Sequence, residues 1–113
     1  MSDFPTSARV VIIGGGAVGA SSLYHLCKAG WTDCVLLEKN ELTAGSTWHA
    51  AGNVPTFSSS WSIMNMQRYS AELYRGLGDA VDYPMNYNVT GSVRLGHTKE
   101  RLQEFQKVVG MGR

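Results

Sequence analysis

The sequence predicts an α/β fold that opens with a parallel strand–helix–strand unit. Residues 9–13 form a β-branched run, as in strands buried in parallel sheets. Residues 17–29 contain no proline, and Gly30 stands where a helix C-cap is expected. A second short apolar run follows at residues 34–37. Together they predict a first strand, a helix and a second strand, that is, a βαβ unit.

The turn between the first strand and the helix is rich in glycine. Gly14 allows a tight turn, Gly16 allows the backbone to approach a pyrophosphate, and Gly19 allows the helix to pack on the strand. Glu38 follows Gly19 by roughly 20 residues, the spacing of an acid that hydrogen-bonds a ribose hydroxyl. We therefore predict a Rossmann-like dinucleotide site. The alternative is a structural βαβ turn that binds no ligand.

The second half of the sequence, residues 58–113, predicts a helix, β structure and a further helix. Three serines at residues 58–60 offer N-caps for a helix to about Arg75. Its predicted buried stripe comprises Ile63, Met66, Ser70, Leu73 and Leu77.

Apolar residues alternate within residues 83–97, which predicts strands of antiparallel character. Thr98 then caps a helix with Leu102, Phe105 and Val109 on one face. We expect residues 1–57 to belong to a cofactor domain and residues 58–113 to begin a second, antiparallel substrate domain. Because two parallel strands make an incomplete sheet, we also expect an N-terminal fragment of a longer, here truncated, protein.

The loop after Glu38 lies at the edge of the sheet where ligands bind in open α/β folds. Gly45 and Gly52 permit close backbone approach to a cofactor. Ser46 and Thr47 can donate to phosphate oxygens, and His49 is carried toward the reactive end of the nucleotide. On chemistry alone, a solvated histidine that only holds a turn remains the alternative.

Four segments resemble one known family. Residues 10–19, 36–39, 44–52 and 91–95 are similar to the N-terminal region of the dimethylglycine and sarcosine dehydrogenases. These are FAD-dependent, D-amino-acid-oxidase-like flavoproteins. The glycine-rich turn is common to many flavoproteins, whereas the run Gly-Ser-Thr-Trp-His-Ala-Ala-Gly is more specific.

The resemblance implies a set of FAD-binding residues. Ala17 and Val18 lie over the pyrophosphate, Glu38 and Lys39 flank the adenosine ribose, and His49 is the covalent attachment point for the flavin 8α carbon. The complete set of implied cofactor-binding positions is Gly14, Gly16, Ala17, Val18, Gly19, Glu38, Lys39, Gly45, Ser46, Thr47, Trp48, His49, Ala50, Ala51, Gly52 and Asn53. No catalytic residue and no metal site is implied.

The reaction implied is oxidation of the C–N bond of an N-methylated glycine, such as dimethylglycine or sarcosine. The implied partners are a small amine and, in the full-length enzyme, a possible folate. Three alternatives stay open: another FAD-dependent amine or amino-acid oxidase or glycerol-3-phosphate-type dehydrogenase, a non-catalytic nucleotide-binding fragment, and a nicotinamide-dependent dehydrogenase. We expect this chain alone to have little dehydrogenase activity.

Composition sets the remaining expectations. The chain has 113 residues and a net charge of +1, which gives no electrostatic reason to expect nucleic acid or a membrane as partner. The N-terminal residues lack the basic and apolar segments of a secretory signal. A cytoplasmic enzyme is the simplest interpretation.

Arg94 alternates with Val93 and Leu95, so it can face a substrate carboxylate.

Overall fold

The structure is a computed structural model that describes residues 5–113, and the chain forms two compact units. The first unit ends at Gly52 and the second spans Asn53–Arg113. In chain order the elements are β1 (Val10–Ile13), α1 (Ala17–Lys28), β2 (Cys34–Leu37), α2 (Trp61–Val81) and α3 (Lys99–Met111). The α/β class and the parallel βαβ unit are confirmed.

Strands β1 and β2 pair in parallel, with Val10 opposite Cys34 and Ile13 opposite Leu37. Helix α1 packs on one face of this pair, on the side of Ile12. The opposite face is open, and Ile13 is 87% exposed. The expectation of a strand buried on both faces is therefore wrong for the described residues, because a single crossover helix covers only one face of a two-stranded sheet.

Helix α1 ends where the sequence predicts. Gly30 has φ +86°, and its N–H donates to the Cys27 carbonyl at 2.9 Å. The Trp31 N–H donates to the Leu26 carbonyl at 3.0 Å. Gly30 is thus the left-handed residue that terminates the helix and satisfies its last carbonyls.

Helix α2 extends beyond its predicted end near Arg75 and stops at Asp82, whose φ is +49°. Aspartate is one of the few residues that tolerates this left-handed conformation. Gly78 stays inside the helix, and a Cβ there would lie 3.1 Å from the Tyr83 carbonyl oxygen. The glycine therefore lets the chain fold back over the helix rather than ending it.

The buried face of α2 agrees with the predicted stripe at Leu73 and Leu77, which are half-buried, but is displaced by one residue in the first half of the helix. Met64 and Ala71 are buried, whereas Ile63 and Met66 are 48% and 69% exposed. The helix carries apolar side chains on two adjacent faces, so periodicity alone does not decide between them. The face that is covered includes the small residue Ala71, which is 4% exposed.

Helix α3 has the predicted cap, because Thr98 Oγ1 accepts from the Arg101 N–H at 3.2 Å. Its buried residue is Val108, 2% exposed, whereas Leu102 and Val109 are about half exposed. Phe105 is half-buried and packs edge-to-face against Phe57, as the predicted face requires. The prediction is therefore wrong only at the ends of the face, where Leu102 is exposed and Val108 is buried in place of Val109.

Residues 83–97 contain no strand among the residues that the structure describes. The predicted β structure is therefore not formed in this chain. A strand needs a hydrogen-bonding partner, and the second unit supplies none for this segment. An alternating pattern selects a conformation only when a sheet is present to pair with it.

Candidate functional site

The glycine-rich turn joins β1 to α1 by a close approach of backbone to backbone. Gly14 has φ +104°, a conformation that other residues rarely adopt, and its N–H donates to the Leu37 carbonyl at 2.8 Å. A Cβ on Gly19 would overlap the Gly14 carbonyl oxygen and lie 3.4 Å from Ile12 Cγ2. The turn therefore depends on glycine at both ends, as its spacing predicts.

The Glu38 carboxylate holds the middle of this turn. Its Oε2 accepts from the Gly15 N–H at 2.7 Å, and its Oε1 accepts from the Asn40 N–H at 2.9 Å. The Gly15 hydrogen bond, followed by the Asn40 bond, lowers the pKa of the Glu38 carboxyl below its ordinary value. Glu38 is thus an anion at neutral pH, with lone pairs left to accept from a ligand hydroxyl.

Gly15 is a site residue that the sequence prediction missed. It is buried, and a Cβ there would lie 3.2 Å from Glu38 Cβ and would overlap the Leu42 side chain. The motif treats this position as variable, so the spacing gave no reason to select it. The available signal was that Gly15 is the middle glycine in an unbroken run of three.

The N-terminus of α1 retains hydrogen-bond donors. Within residues 5–113, no hydrogen bond is accepted from the Val18 or Gly19 N–H. These donors lie at the positive end of the helix dipole, which is where nucleotide phosphates bind in such turns. The donor set therefore fits the pyrophosphate of a dinucleotide, with Glu38 at the end of β2 suited to the ribose.

The loop after β2 folds back onto the glycine-rich turn. The Thr43 N–H donates to the Gly15 carbonyl at 3.0 Å, and Thr47 Oγ1 accepts from the Ala17 N–H at 2.9 Å. The Trp48 N–H donates to the Thr43 carbonyl at 3.0 Å. Thr43 has φ +68°, which is uncommon for a β-branched residue. The structure therefore brings the loop and the α1 N-terminus together.

His49 lies on this loop with a defined ring orientation. Its Nδ1 is 2.9 Å from the Gly45 carbonyl oxygen. A carbonyl oxygen can only accept, so Nδ1 carries the hydrogen and, in the neutral ring, Nε2 carries a free lone pair. The side chain is exposed. This arrangement presents a nucleophilic nitrogen to whatever binds beside the loop.

The other predicted positions are less constrained. Trp48 is 77% exposed, and no side-chain hydrogen bond of Lys39 or Ser46 occurs in the described part of the chain. Asn53 belongs to the second unit. The structure thus gathers Gly14, Gly16, Ala17, Gly19, Glu38 and Thr47 around the turn and leaves Lys39, Ser46, Trp48, Ala50 and Ala51 exposed.

Residues 5–113 contain neither a cluster of metal-ligating side chains nor a helix suited to a membrane span. No group of three His, Cys, Asp or Glu side chains in this range could hold a metal ion. None of the helices in the range has both the length and the apolar character needed to cross a bilayer.

The sequence matches a known protein family and is similar to several known proteins. The sequence model of the family described as "DAO: FAD dependent oxidoreductase" matches residues 9–113. The chain is 48% identical over 99 residues to dimethylglycine dehydrogenase, mitochondrial, of Rattus norvegicus, which covers 88% of this chain and 12% of that protein. It is 32% identical over 110 residues to sarcosine dehydrogenase, mitochondrial, of Homo sapiens, covering 96% and 12% respectively.

A third relative is named as a regulatory subunit and not as a dehydrogenase. The pyruvate dehydrogenase phosphatase regulatory subunit, mitochondrial, of Mus musculus is 42% identical over 104 residues, covering 92% of this chain and 12% of that protein. The chain thus spans about an eighth of the length of these relatives.

The expectation of a cytoplasmic location is wrong in light of these relatives. All three are mitochondrial proteins by name. The prediction rested on the absence of a recognisable signal in the first residues, which is a weak criterion. The expectation of FAD as the cofactor is confirmed by the family match.

Proposed function

Because the chain belongs to the DAO family of FAD-dependent oxidoreductases, we propose that its glycine-rich turn binds the FAD pyrophosphate. The N–H groups of Val18 and Gly19, which donate to no acceptor among residues 5–113, support this assignment, with Gly14, Gly16 and Ala17 shaping the turn. Glu38 would accept from the adenosine ribose while it holds Gly15. Lys39 flanks the ribose on the exposed side of the same segment.

The proposed path of the cofactor continues along the loop after β2. Gly45, Ser46, Trp48 and the segment 50–53 would line the flavin side of FAD, as the family resemblance implies. Their exposure leaves them free to contact a ligand. Thr47 already contacts the pyrophosphate end of the turn through Ala17.

The proposed covalent attachment point is His49. The hydrogen bond from Nδ1 to the Gly45 carbonyl leaves the Nε2 lone pair available to bond the 8α carbon of FAD. The net change replaces one C–H and one N–H bond by a C–N bond. Two protons leave, and two electrons pass to an acceptor such as dioxygen. His49 orientation is the single observation that carries this proposal.

The proposed activity is oxidation of the C–N bond of an N-methylated glycine. Two of the relatives are named for dimethylglycine and sarcosine. Bound FAD would supply the two-electron acceptor for this oxidation. The role of this chain is to bind and orient the cofactor. A folate partner for the product methylene group stays a prediction, as does a carboxylate contact by Arg94, whose guanidinium lies 4.3 Å from the Phe57 ring centre.

The proposed domain division places residues 1–57 with the FAD domain and residues 58–113 with the start of a substrate domain. The alternating segment 83–97 supports this, because Val89, Val93 and Leu95 are each more than 70% exposed. Apolar side chains on one side of a strand are suited to an antiparallel sheet with one buried face. We propose that this segment pairs in the intact enzyme.

The test uses the intact protein. Acid precipitation should leave yellow fluorescence with the wild-type protein, whereas a His49→Ala variant should release all of its flavin. Dimethylglycine and sarcosine should reduce the bound flavin. Covalent flavin that survives in His49→Ala would eliminate this histidine as the attachment point.

A second candidate is a non-catalytic, FAD-binding regulatory role. The 42% identity to the mouse phosphatase regulatory subunit favours it. Reduction assays with N-methylated glycines separate the two candidates. A protein that retains flavin but is not reduced by any of these amines supports the regulatory role instead.

A further inference from the structure

The helix cap of α1 comes from a distant part of the chain. Gly16 occupies the N-cap position and has no side chain to accept from the first N–H groups. Thr47, 30 residues beyond Ala17, supplies the missing acceptor: its Oγ1 accepts from the Ala17 N–H at 2.9 Å. The cap is therefore also a tertiary link between the helix and the loop after β2.

The absence of a Cβ on Gly16 makes room for this link. A Cβ at that position would lie 2.9 Å from Thr47 Oγ1 and 3.9 Å from Thr47 Cβ, so it would crowd the hydroxyl. A second link, from the Thr43 N–H to the Gly15 carbonyl at 3.0 Å, holds the start of the loop. The loop is thus attached to the turn at two points four residues apart.

His49 follows the second attachment point by two residues. Its ring is held by the Gly45 carbonyl, and Gly45 lies between the two points. The Trp48 N–H donates to Gly45 and Thr43 carbonyls at 3.2 and 3.0 Å, so residues 43–49 form one hydrogen-bonded segment. Displacement of Thr47 would therefore displace the imidazole as well.

We propose that Thr47 is a positioning residue for flavin attachment: its hydroxyl holds the loop on the α1 N-terminus so that His49 Nε2 meets the bound flavin. The inference rests on the proposed attachment at His49. A displacement of about 1 Å can cost on the order of 100-fold in a reaction between positioned groups. Loss of the Thr47 link should therefore slow attachment more than it weakens FAD binding.

The experiment measures covalent incorporation of FAD into the intact apo-protein at saturating FAD. Thr47→Val removes the hydroxyl at nearly constant volume and should slow incorporation by about tenfold or more. Thr47→Ser keeps the hydroxyl and should restore most of the rate. The dissociation constant of FAD, measured with and without Thr47→Val in a His49→Ala background, should change much less than the incorporation rate.

A matched control is available in α3. Thr98→Val removes the same kind of cap, a threonine hydroxyl that accepts from the Arg101 N–H at 3.2 Å. This variant should incorporate FAD at the wild-type rate, because Thr98 caps α3 in the second unit, whereas Thr47 caps α1 in the first. An equal slowing in both threonine variants would mean that general destabilisation, not positioning, limits incorporation, and would overturn the proposal.

Hydrogen exchange of the wild-type apo-protein adds a test that needs no variant. The first N–H groups of a helix normally lack partners and exchange fast. The Ala17 amide should be protected, and free exchange there would overturn the link. Normal incorporation by Thr47→Val would overturn the positioning role alone. Absence of acid-stable flavin from the wild-type protein would instead overturn the attachment at His49 and, with it, this inference.

Discussion

Substitution of Gly19 by alanine tests the close packing on which the glycine-rich turn depends. In an open helical site, alanine is about 1 kcal/mol more favourable than glycine. At Gly19 the added Cβ would overlap the Gly14 carbonyl oxygen and lie 3.1 Å from the Gly14 carbonyl carbon. Both atoms belong to the backbone, so they cannot rotate away as a flexible side chain would.

The expected effect follows from these two opposing contributions. Overpacking a close contact costs about 1–3 kcal/mol, and more when the neighbour is rigid. Because both crowded atoms are backbone, the upper part of this range, ~2–3 kcal/mol, applies. After subtraction of the ~1 kcal/mol gain in helix propensity, we expect Gly19→Ala to destabilise the βαβ unit by a net ~1–2 kcal/mol. The shift of Gly14 should also move the N–H groups that we propose to bind the pyrophosphate, so FAD affinity should fall.

Gly76 in α2 provides the control, because no atom lies within 4 Å of a Cβ placed there. Gly76→Ala should stabilise α2 by up to ~1 kcal/mol. Hydrogen exchange of the α1 and α2 amides in the intact protein measures the two effects separately, and flavin fluorescence measures FAD affinity. If Gly19→Ala were as stabilising as Gly76→Ala and bound FAD normally, the close-packing argument would be refuted.

Three further predictions concern the loop, the acid at the end of β2 and the α3 cap. Gly52 has φ +70°, whereas Gly45 does not have a positive φ. In urea denaturation, Gly52→Ala should therefore lower the free energy of unfolding by ~1–2 kcal/mol, and Gly45→Ala should lower it by less than ~0.5 kcal/mol. The lowered pKa of Glu38 means that its contribution to stability is present above its ordinary pKa and is lost as the pH falls through the lower, folded-state pKa. Thermal midpoints measured downward from pH 7 should therefore drop in acid more steeply for wild type than for Glu38→Gln, and parallel curves would contradict this. Thr98→Ala should cost α3 about 1 kcal/mol, seen as faster amide exchange in its first turn.

Local sequence determined the first unit almost completely. The β-branched run, the glycine spacing and Gly30 each act within a few residues, so β1, α1 and its end could be predicted without knowledge of the rest of the chain. The position of Glu38 at the end of β2 follows for the same reason, because the length of a crossover helix sets its spacing from the glycines. The nature of the cofactor needed the more specific loop that follows.

Packing decided the details of the second unit. Apolar residues occupy two adjacent faces of α2. The segments that pack against the helix bury Met64 and Ala71 and leave Ile63 and Met66 exposed. The alternating segment 83–97 has the composition of strands, but the second unit offers it no strand to pair with. It therefore forms no strand. Strand formation depends on contacts between distant residues, which a local pattern does not contain.

The same division holds within the candidate site. The sequence by itself determined which residues could bind a dinucleotide, because backbone conformation at glycine and helix polarity are local properties. Only the tertiary structure decided that Thr47 caps α1, that Glu38 holds Gly15, and that the Gly45 carbonyl sets the His49 tautomer. The links of Thr47 and Glu38 join residues 30 and 23 positions apart, so they depend on the tertiary fold and not on a local spacing rule.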